Sequence, residues 1–230
     1  DKRAYQLSYF ALMMKGRAVA GRRFFRGVET EDGDRRPIRL NVYAIEESNI
    51  VDKNILDAYG VSMSSDEREK AREQVETLLS EMHDAKEYGS IIHVTDFDMD
   101  LVKRYLFDRD EKGQLNLLHM DAGKGAEKIW KLAQIGKVLA QKYDAVVTNP
   151  PYMGGSSMNI KLAQYARNIY PNSKTDFFAM FEEKCSNLTR NKGLYSMITQ
   201  NSWMFLMSFE KFRMNLSKNI IVNMTHLGAR

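Results

Sequence analysis

The chain is poor in the residues that form cross-links and metal sites. Its single cysteine, Cys185, excludes a disulfide framework and a cysteine-rich zinc site within the chain, and fits a reducing cytoplasm. The four histidines, His83, His93, His119 and His226, are dispersed, so no metal site is predicted. No apolar run approaches the roughly 18 residues that a membrane span needs, and no signal peptide is visible. These absences predict a cytoplasmic protein with no membrane partner.

The composition predicts a folded globular domain, because 43% of the 230 residues are hydrophobic and 28% are charged. Lys and Arg exceed Asp and Glu by 34 to 30, a balance compatible with a polyanionic partner. An early stretch, interrupted by the acidic turn 31–34, concentrates arginine at Arg17, Arg22, Arg23, Arg26, Arg35, Arg36 and Arg39. Two interpretations stay open for it, a solvated loop and a phosphate-facing patch.

Helical and strand patterns alternate along the chain. Apolar spacing predicts helices around 5–14, with a broad buried stripe, and over 65–82, 99–107, 126–141, 176–188 and 208–216. Short apolar or alternating runs predict strands over 37–45, 91–94, 143–148, 194–199 and 220–226, with a turn at 191–193, while 116–120 is ambiguous. This alternation is typical of a doubly wound α/β fold, whose ligand sites lie beyond the carboxyl ends of the strands.

The segment Asn149-Pro150-Pro151-Tyr152 directly follows one predicted strand. Its residue types suit methylation of an exocyclic amine on adenine, whose lone pair is delocalised into the ring. The Asn149 side-chain oxygen can accept a hydrogen bond from the amine, and the carbonyl of Pro150, restricted by the proline after it, can accept another. Fixed acceptors of this kind localise the lone pair toward an incoming methyl group.

Tyr152 offers an aromatic face to a base that has been flipped out of its stack. Flipping costs a few kcal/mol, and stacking on an aromatic ring returns roughly 1–3 kcal/mol. A simpler interpretation is that these four residues end a strand in a turn, with Tyr152 packed on the surface.

The chain resembles the adenine-N6 DNA methyltransferases whose fourth motif is Asn-Pro-Pro-Tyr. Ser173-Lys-Thr-Asp-Phe-Phe-Ala-Met-Phe-Glu-Glu-Lys is similar to their fifth motif, and Asn191-Lys-Gly-Leu-Tyr-Ser-Met-Ile-Thr-Gln-Asn-Ser-Trp to their sixth. Within that group the chain most resembles the PglX-type methyltransferases of BREX phage-defence systems. Three segments carry this resemblance: Tyr-Asp-Ala-Val-Val-Thr-Asn-Pro-Pro-Tyr-Met-Gly-Gly, Tyr170-Pro-Asn-Ser-Lys and Gln6-Leu-Ser-Tyr-Phe-Ala-Leu-Met-Met-Lys. Restriction–modification enzymes with fused nuclease and methylase share the same core.

The resemblance implies S-adenosyl-L-methionine as cofactor, double-stranded DNA as substrate and other phage-defence proteins as partners. It makes Asn149, Pro150, Pro151 and Tyr152 the catalytic segment. Through the fifth motif it also implies that Phe181 stacks on the cofactor's adenine, with Asp176 near it, while a core role for Phe181 stays open as the alternative. The acid of the third motif is predicted to be Asp96, which precedes Phe97 in the sequence. Glu46, Asp84 and Asp121 are rivals for this role. The structural alternative for Asp96 is that it caps the N-terminus of a helix.

The chain departs from the family pattern at its first motif, because no glycine-rich cofactor loop occurs in it. Gly123-Lys-Gly125 is expected to be a simple loop. The opening resembles the end of the second motif, and the last residues stand about where an eighth motif begins. We therefore expect the chain to be an internal piece of a larger enzyme. Its expected fold over 1–230 is a doubly wound Rossmann-like methyltransferase fold that lacks the first strand and has a helical insertion at about 52–125. By itself, this piece is expected to bind the cofactor weakly and to have little activity.

Two rival functions stay open. One is methylation of a glutamine amide or an RNA amino group, in which the same four residues would accept hydrogen bonds from the nitrogen that is methylated. The other is a non-catalytic DNA-binding or scaffold role. Glu182-Glu183-Lys184 matches an acid-x-Lys pattern of some nucleases, but on a predicted helix it is expected to be a solvated charged face. Cys185, on the same helix, is expected to be a buried thiol.

Overall fold

A computed structural model describes residues 2–29, 31–108 and 117–228. The chain divides into two units, residues 1–46 and 47–230. The helices are α1 Lys2–Ala20, α2 Ser65–Glu81, α3 Ala85–Tyr88, α4 Met99–Phe107, α5 Leu117–Ala140, α6 Ile160–Ile169, α7 Phe177–Leu188 and α8 Glu210–Leu216, and the strands are β1 Val28–Glu29, β2 Arg35–Arg36, β3 Tyr143–Thr148 and β4 Thr189–Met197. Over the described ranges, every helix is too short or too polar to cross a membrane.

The first unit consists of α1, a 3₁₀ turn over Gly21–Arg26 and a hairpin of β1 and β2. The predicted helix is confirmed, but its apolar stripe is not buried, and Leu7 and Phe10 are exposed. Among the described residues of this unit, the main packing against α1 comes from the 3₁₀ turn. The strand predicted over 37–45 is wrong. That segment has no regular structure, since the antiparallel pairing ends at Arg36.

In the second unit, α2, α4 and α5 pack against one another. Ser64 begins α2 by accepting a hydrogen bond from the Glu67 N–H, and Asp98 begins α4 by accepting from Asp100 and Leu101. Both helices were predicted, and their apolar faces are buried as expected: Ala71, Val75, Leu78 and Leu79 on α2, and Leu101, Val102, Tyr105 and Leu106 on α4.

The loop predicted at Gly123-Lys-Gly125 is instead part of α5. A Cβ on Gly125 would lie 2.4 Å from the Ile55 side chain and 2.7 Å from the Tyr59 hydroxyl. Glycine therefore lets the 3₁₀ turn at Lys53–Ala58 approach the helix closely, and this packing outweighs the low helix propensity of glycine.

The strand predicted over 91–94 is also wrong, although its apolar side chains are buried. Side chains occupy the backbone groups that a neighbouring strand would use. The Tyr170 hydroxyl donates to the Ile91 oxygen, and the Lys184 ammonium donates to the Ile92 oxygen at 2.8 Å. The Tyr165 hydroxyl accepts from the His93 N–H at 2.6 Å. The segment is thus buried with its hydrogen bonds satisfied outside any sheet.

Strands β3 and β4 form a parallel pair, with Thr148 opposite Met197. Between Tyr143 and Ala145 the register shifts, because β4 contains a bulge where the sequence predicts a turn. Gly193 sits in that bulge, where a Cβ would lie 2.9 Å from the Asp144 oxygen. Helix α7 packs on this sheet, whereas Val147 is 79% and Leu194 62% exposed.

The α/β class is confirmed, with two-stranded sheets only among the described residues. The strand predicted over 220–226 is wrong, because these residues are exposed and no described strand pairs with them. Helix α6 was not predicted. Its N-cap, Asn159, accepts from the Leu162 N–H at 2.9 Å, and Leu162 and Ala166 bury one face.

Candidate catalytic site at the carboxyl edge of the sheet

The segment Asn149–Tyr152 begins where β3 ends, at the edge of the sheet where β4 also ends. This is the edge at which open α/β sheets place their ligands. The Tyr152 hydroxyl donates to the main-chain oxygen of Ile198, just past β4, at 3.3 Å. One hydrogen bond therefore joins the candidate segment to the neighbouring strand end.

The exposures within this segment differ from residue to residue. Asn149 and Pro151 are exposed, Pro150 is buried and Tyr152 is 48% exposed. The Asn149 amide can thus reach a ligand, and the Tyr152 ring presents an open face to one. Neither group needs to ionise to accept a hydrogen bond or to stack.

The residues after Tyr152 pair with the beginning of α7. Gly154 forms an isolated antiparallel bridge with Asp176. The Phe177 N–H donates to the Met153 oxygen and the Gly155 N–H to the Thr175 oxygen, both at 2.9 Å. The structure therefore brings Asp176 beside the segment that carries Asn149 and Tyr152.

The Asp176 carboxylate caps α7 by accepting from the Phe178 N–H at 3.2 Å. Burial raises the pKa of this carboxyl, against the opposing effect of its hydrogen bonds with the backbone of Phe178 and Phe177. A partly desolvated acceptor at a helix N-terminus can bind a hydroxyl or amine of a nucleoside.

Phe181 lies one turn along α7, partly exposed, with its ring centroid 5.5 Å from that of Phe177. It packs against the core cluster that includes Leu162, Tyr170 and Met180. Both a core role and a stacking role are therefore open to Phe181. Together with Asp176, it has the chemistry to hold the adenosine part of the predicted cofactor.

Asp96 and Phe97 lie after the segment 91–95, in which Ile91, Ile92 and Val94 are buried. The Lys137 ammonium donates to Asp96 at 2.6 Å and to the Phe97 oxygen at 3.2 Å. The hydrogen bond from Lys137 lowers the pKa of Asp96. Among the described residues, no hydrogen bond or ion pair links Asp96 with Asn149–Tyr152, and the N-cap of α4 is Asp98 instead.

The rivals of Asp96 have different surroundings. Asp84 adopts a left-handed backbone conformation and pairs with Lys161 at 2.9 Å, an interaction that lowers the Asp84 pKa. Glu46 is the last residue of the first unit. The side chain of Asp121 lies outside the described part, as does that of His119.

Sequence reasoning missed the polar residues just past β4. The Asn201 amide lies 3.1 Å from His226 Nε2, and the Trp203 indole donates to the Thr199 hydroxyl at 3.3 Å. The sequence contains a signal that could have identified these residues. Parallel strands end at the same edge of a sheet, and Thr199–Asn201 follow β4 just as Asn149 follows β3.

The expectation of a solvated face at Glu182-Glu183-Lys184 is wrong for two of the three residues. Glu182 is 5% and Lys184 6% exposed. The Tyr195 hydroxyl donates to Glu182 at 2.7 Å, and Lys184 donates to the oxygens of Ile92 and Leu139. Hydrogen bonds to neighbouring elements make this burial possible.

Cys185 is a buried thiol, as predicted, and burial raises its pKa to about 11. A thiol with so high a pKa is a poor nucleophile at neutral pH.

Comparisons with known proteins place this chain in a family. A family model described as Eco57I restriction-modification methylase matches residues 1–230. The chain is 35% identical over 232 residues to "Adenine-specific methyltransferase PglX" of Lacticaseibacillus casei (strain Zhang), covering all of this chain and 18% of that protein. It is 32% identical over 252 residues to "Adenine-specific methyltransferase BrxX" of Escherichia coli O9:H4 (strain HS), covering all of this chain and 20% of that protein.

Proposed function

The chain belongs to the Eco57I restriction-modification methylase family, and from that premise we propose that the protein transfers a methyl group to N6 of adenine in double-stranded DNA, in restriction or phage defence. The observation that carries the proposal is the position of Asn149–Tyr152, directly after β3 and beside the end of β4. Two curated relatives with the name adenine-specific methyltransferase, aligned over the whole chain, support it.

In this proposal the target adenine leaves the duplex and stacks on the open face of Tyr152. The Asn149 side-chain oxygen accepts one N6 hydrogen, and the Pro150 carbonyl accepts the other. Both acceptors would help the lone pair of the amine to localise on nitrogen and form the N6–methyl bond, while the bond from that methyl group to its donor sulfur would break with its electron pair left on sulfur. One N6 proton would be released to solvent. Pro150 and Pro151 restrict the backbone, so that both acceptors keep their positions during the reaction.

The methyl donor in the proposal is S-adenosyl-L-methionine, which supplies an electrophilic methyl group on sulfur. Asp176 and Phe181 would hold its adenosine part, and the bridge between Asp176 and Gly154 supports this role for Asp176. Asp96 with Phe97 stays a further cofactor proposal, with Lys137 as a competing partner of the carboxylate. Because the sequence has no glycine-rich first motif, we expect the 230-residue chain to bind this donor weakly.

We further propose that β3 and β4 belong to a larger, doubly wound Rossmann-like sheet, with residues 52–125 as a helical insertion. The exposed apolar side chains of Val147 and Leu194 support this, because strands of such sheets are normally covered on both faces. The entirely helical regular structure described within 52–125 supports the insertion.

Methyl transfer by the full-length gene product tests the function, since this chain spans about a fifth of its relatives. Wild type, Asn149→Ala and the control Asn168→Ala, an exposed asparagine on α6, would be given labelled donor and unmethylated DNA. We expect labelled N6-methyladenine from wild type and control, and a rate roughly 10²- to 10³-fold lower from Asn149→Ala. Label on a protein or RNA acceptor, with none on DNA, would overturn the proposal, as would an undiminished rate in Asn149→Ala.

A further inference from the structure

The net positive charge of the chain is confined to its first unit. Residues 1–46 hold ten Lys or Arg against six Asp or Glu, and residues 47–230 hold 24 of each. The excess of four positive charges therefore belongs entirely to a segment of 46 residues. Such local concentration is typical of a surface that attracts a polyanion.

The fold of this unit brings separate arginines of the sequence toward one region. The Phe24 ring packs on Gly16, where a Cβ would lie 2.3 Å from the ring. The Arg17 guanidinium lies 5.9 Å from the centroid of the Phe25 ring. These contacts fold the 3₁₀ turn back on the end of α1, so that the arginines of the turn lie near Arg17.

Within the 3₁₀ turn, Arg23 and Arg26 are three residues apart and therefore lie on the same face. The hairpin then returns the chain to this turn, because a Cβ on Gly27 would lie 2.2 Å from the Arg36 oxygen. We define the arginine patch as Arg17, Arg23, Arg26 and Arg36.

Three of the six acidic residues of the unit lie at the tip of the hairpin. Glu31, Asp32 and Asp34 are in the turn at its tip, beyond the pairing of Glu29 with Arg35. Directly paired residues lie on the same face of an antiparallel ribbon. Glu29 therefore lies on the same face as Arg35, and Arg36 on the same face as Val28. Arg36 is therefore on the face without the glutamate.

All four guanidinium groups of the patch are exposed. Among the described residues, Arg23, Arg26 and Arg36 form no ion pair with a carboxylate. Like charges held together without counter-charges repel one another, and a bound anion removes this cost. Guanidinium groups bind phosphate oxygens through paired N–H donors, which makes phosphate the anion of best fit.

We propose that the arginine patch binds the phosphate backbone of duplex DNA without reading its sequence. Phosphate supplies the repeated negative charges that several separate guanidinium groups can contact at once. The choice of duplex DNA as the source of the phosphates rests on the proposed function. The patch thus adds non-specific affinity for the substrate, independent of the Asn149–Tyr152 segment.

The test measures DNA affinity of the chain by fluorescence anisotropy, with a labelled 30-base-pair duplex at several salt concentrations. Arg23→Gln, Arg26→Gln and Arg36→Gln are combined in one variant. A matched variant combines Lys103→Gln, Lys128→Gln and Lys211→Gln, three exposed lysines of the second unit. A third variant changes the same arginines to lysine, which keeps the charge. Circular dichroism checks that all variants fold as wild type does.

We expect the arginine-to-glutamine variant to bind at least ~10-fold more weakly, and the slope of log K against log salt to become shallower by about 2 to 3. The lysine-to-glutamine variant should keep the wild-type slope, and the arginine-to-lysine variant should retain most of the affinity. Equal slopes in the glutamine variants would overturn the proposal. So would a stronger effect of the arginine changes on single-stranded RNA or on vesicles with phosphatidylserine than on duplex DNA.

Failure of this inference can be told apart from failure of the proposed function. If wild type methylates DNA while the arginine changes leave affinity and salt slope unaltered, the methyltransferase proposal stands and the patch is not a DNA contact. If the patch controls DNA affinity while the full-length gene product transfers no methyl group to DNA, the patch is a DNA contact and the methyltransferase proposal is wrong. Asn149→Ala should leave the salt slope unchanged.

Discussion

The main-chain N–H of Phe177 donates to the main-chain oxygen of Met153 at 2.9 Å, which ties the exit of the candidate catalytic segment to the first turn of α7. The other end of that segment continues directly from β3. Asn149 and Tyr152 are thus held between a strand and a helix N-terminus, an arrangement that positions both side chains from regular elements on either side.

The cap residue of α7 gives a first prediction. Replacing Asp176 with Ala removes the acceptor of the Phe178 N–H, and we expect unfolding free energy to fall by about 1 kcal/mol. Asp176→Asn keeps a capping oxygen. Because burial raises the Asp176 pKa, wild type loses stability relative to Asp176→Asn as pH rises through that titration. Urea unfolding at acid and neutral pH measures both effects, and equal losses in the Ala and Asn variants would contradict the capping role.

The Tyr152 ring gives a second prediction. Tyr152→Phe keeps the aromatic face and loses only an exposed hydrogen bond to the Ile198 oxygen, so methyl transfer by the full-length protein should stay close to wild type. Tyr152→Ala removes the stacking surface, and we expect a loss of about 5- to 150-fold in kcat/KM, equivalent to roughly 1–3 kcal/mol. A Phe variant as impaired as the Ala variant would show that the hydroxyl, not the ring, carries the role.

Local signals were sufficient to predict several elements. Helices α2, α4 and α7 each combine a capping residue with apolar side chains at helical spacing, and β3 is a short apolar run before the two prolines. The position of Asn149–Tyr152 at a strand end follows from the same reasoning. These features depend on neighbours in sequence, which is why the sequence predicted them.

Features set by distant contacts were not predicted. The glycines at 123 and 125 predict a loop, but Gly125 lies in a helix because Ile55 and Tyr59 occupy the space that a side chain there would need. The bridge between Gly154 and Asp176 joins two motifs that sequence analysis treated separately. A segment such as 91–95 reads as a strand from its apolar side chains, but its backbone partners are side chains from α6, α7 and Tyr170.

The hydroxyl of Tyr170 gives a third prediction. Tyr170 is buried and donates to the oxygen of Ile91, itself fully buried. Tyr170→Phe leaves this carbonyl without its donor, and we expect unfolding free energy to fall by about 1–3 kcal/mol. Tyr152→Phe, which removes an exposed hydroxyl, is the matched control and should change stability by less than about 0.5 kcal/mol. Equal changes in the two variants would contradict the role of the buried hydrogen bond.

Lys184 connects three elements through one buried ammonium group. From α7 it donates to the oxygen of Ile92 at 2.8 Å and to the oxygen of Leu139, near the end of α5, at 3.1 Å. Burial, together with a smaller effect of the Lys142 charge, lowers its pKa from the ordinary 10.5 to about 8. The folded chain therefore releases this proton at a lower pH than the unfolded chain does.

This difference in pKa gives the last prediction. Between about pH 8 and 10.5 the unfolded chain binds a proton that the folded chain lacks, so the Lys184 contribution to stability becomes more favourable as pH rises. The difference in unfolding free energy, wild type minus Lys184→Met, should grow by about 2 kcal/mol from pH 7.5 to 9.5. Subtraction removes the titrations of groups that Lys184 does not affect. The exposed Lys103→Met serves as control and should show a constant difference; a constant difference for Lys184→Met as well would mean that its ammonium keeps an ordinary pKa in the folded chain.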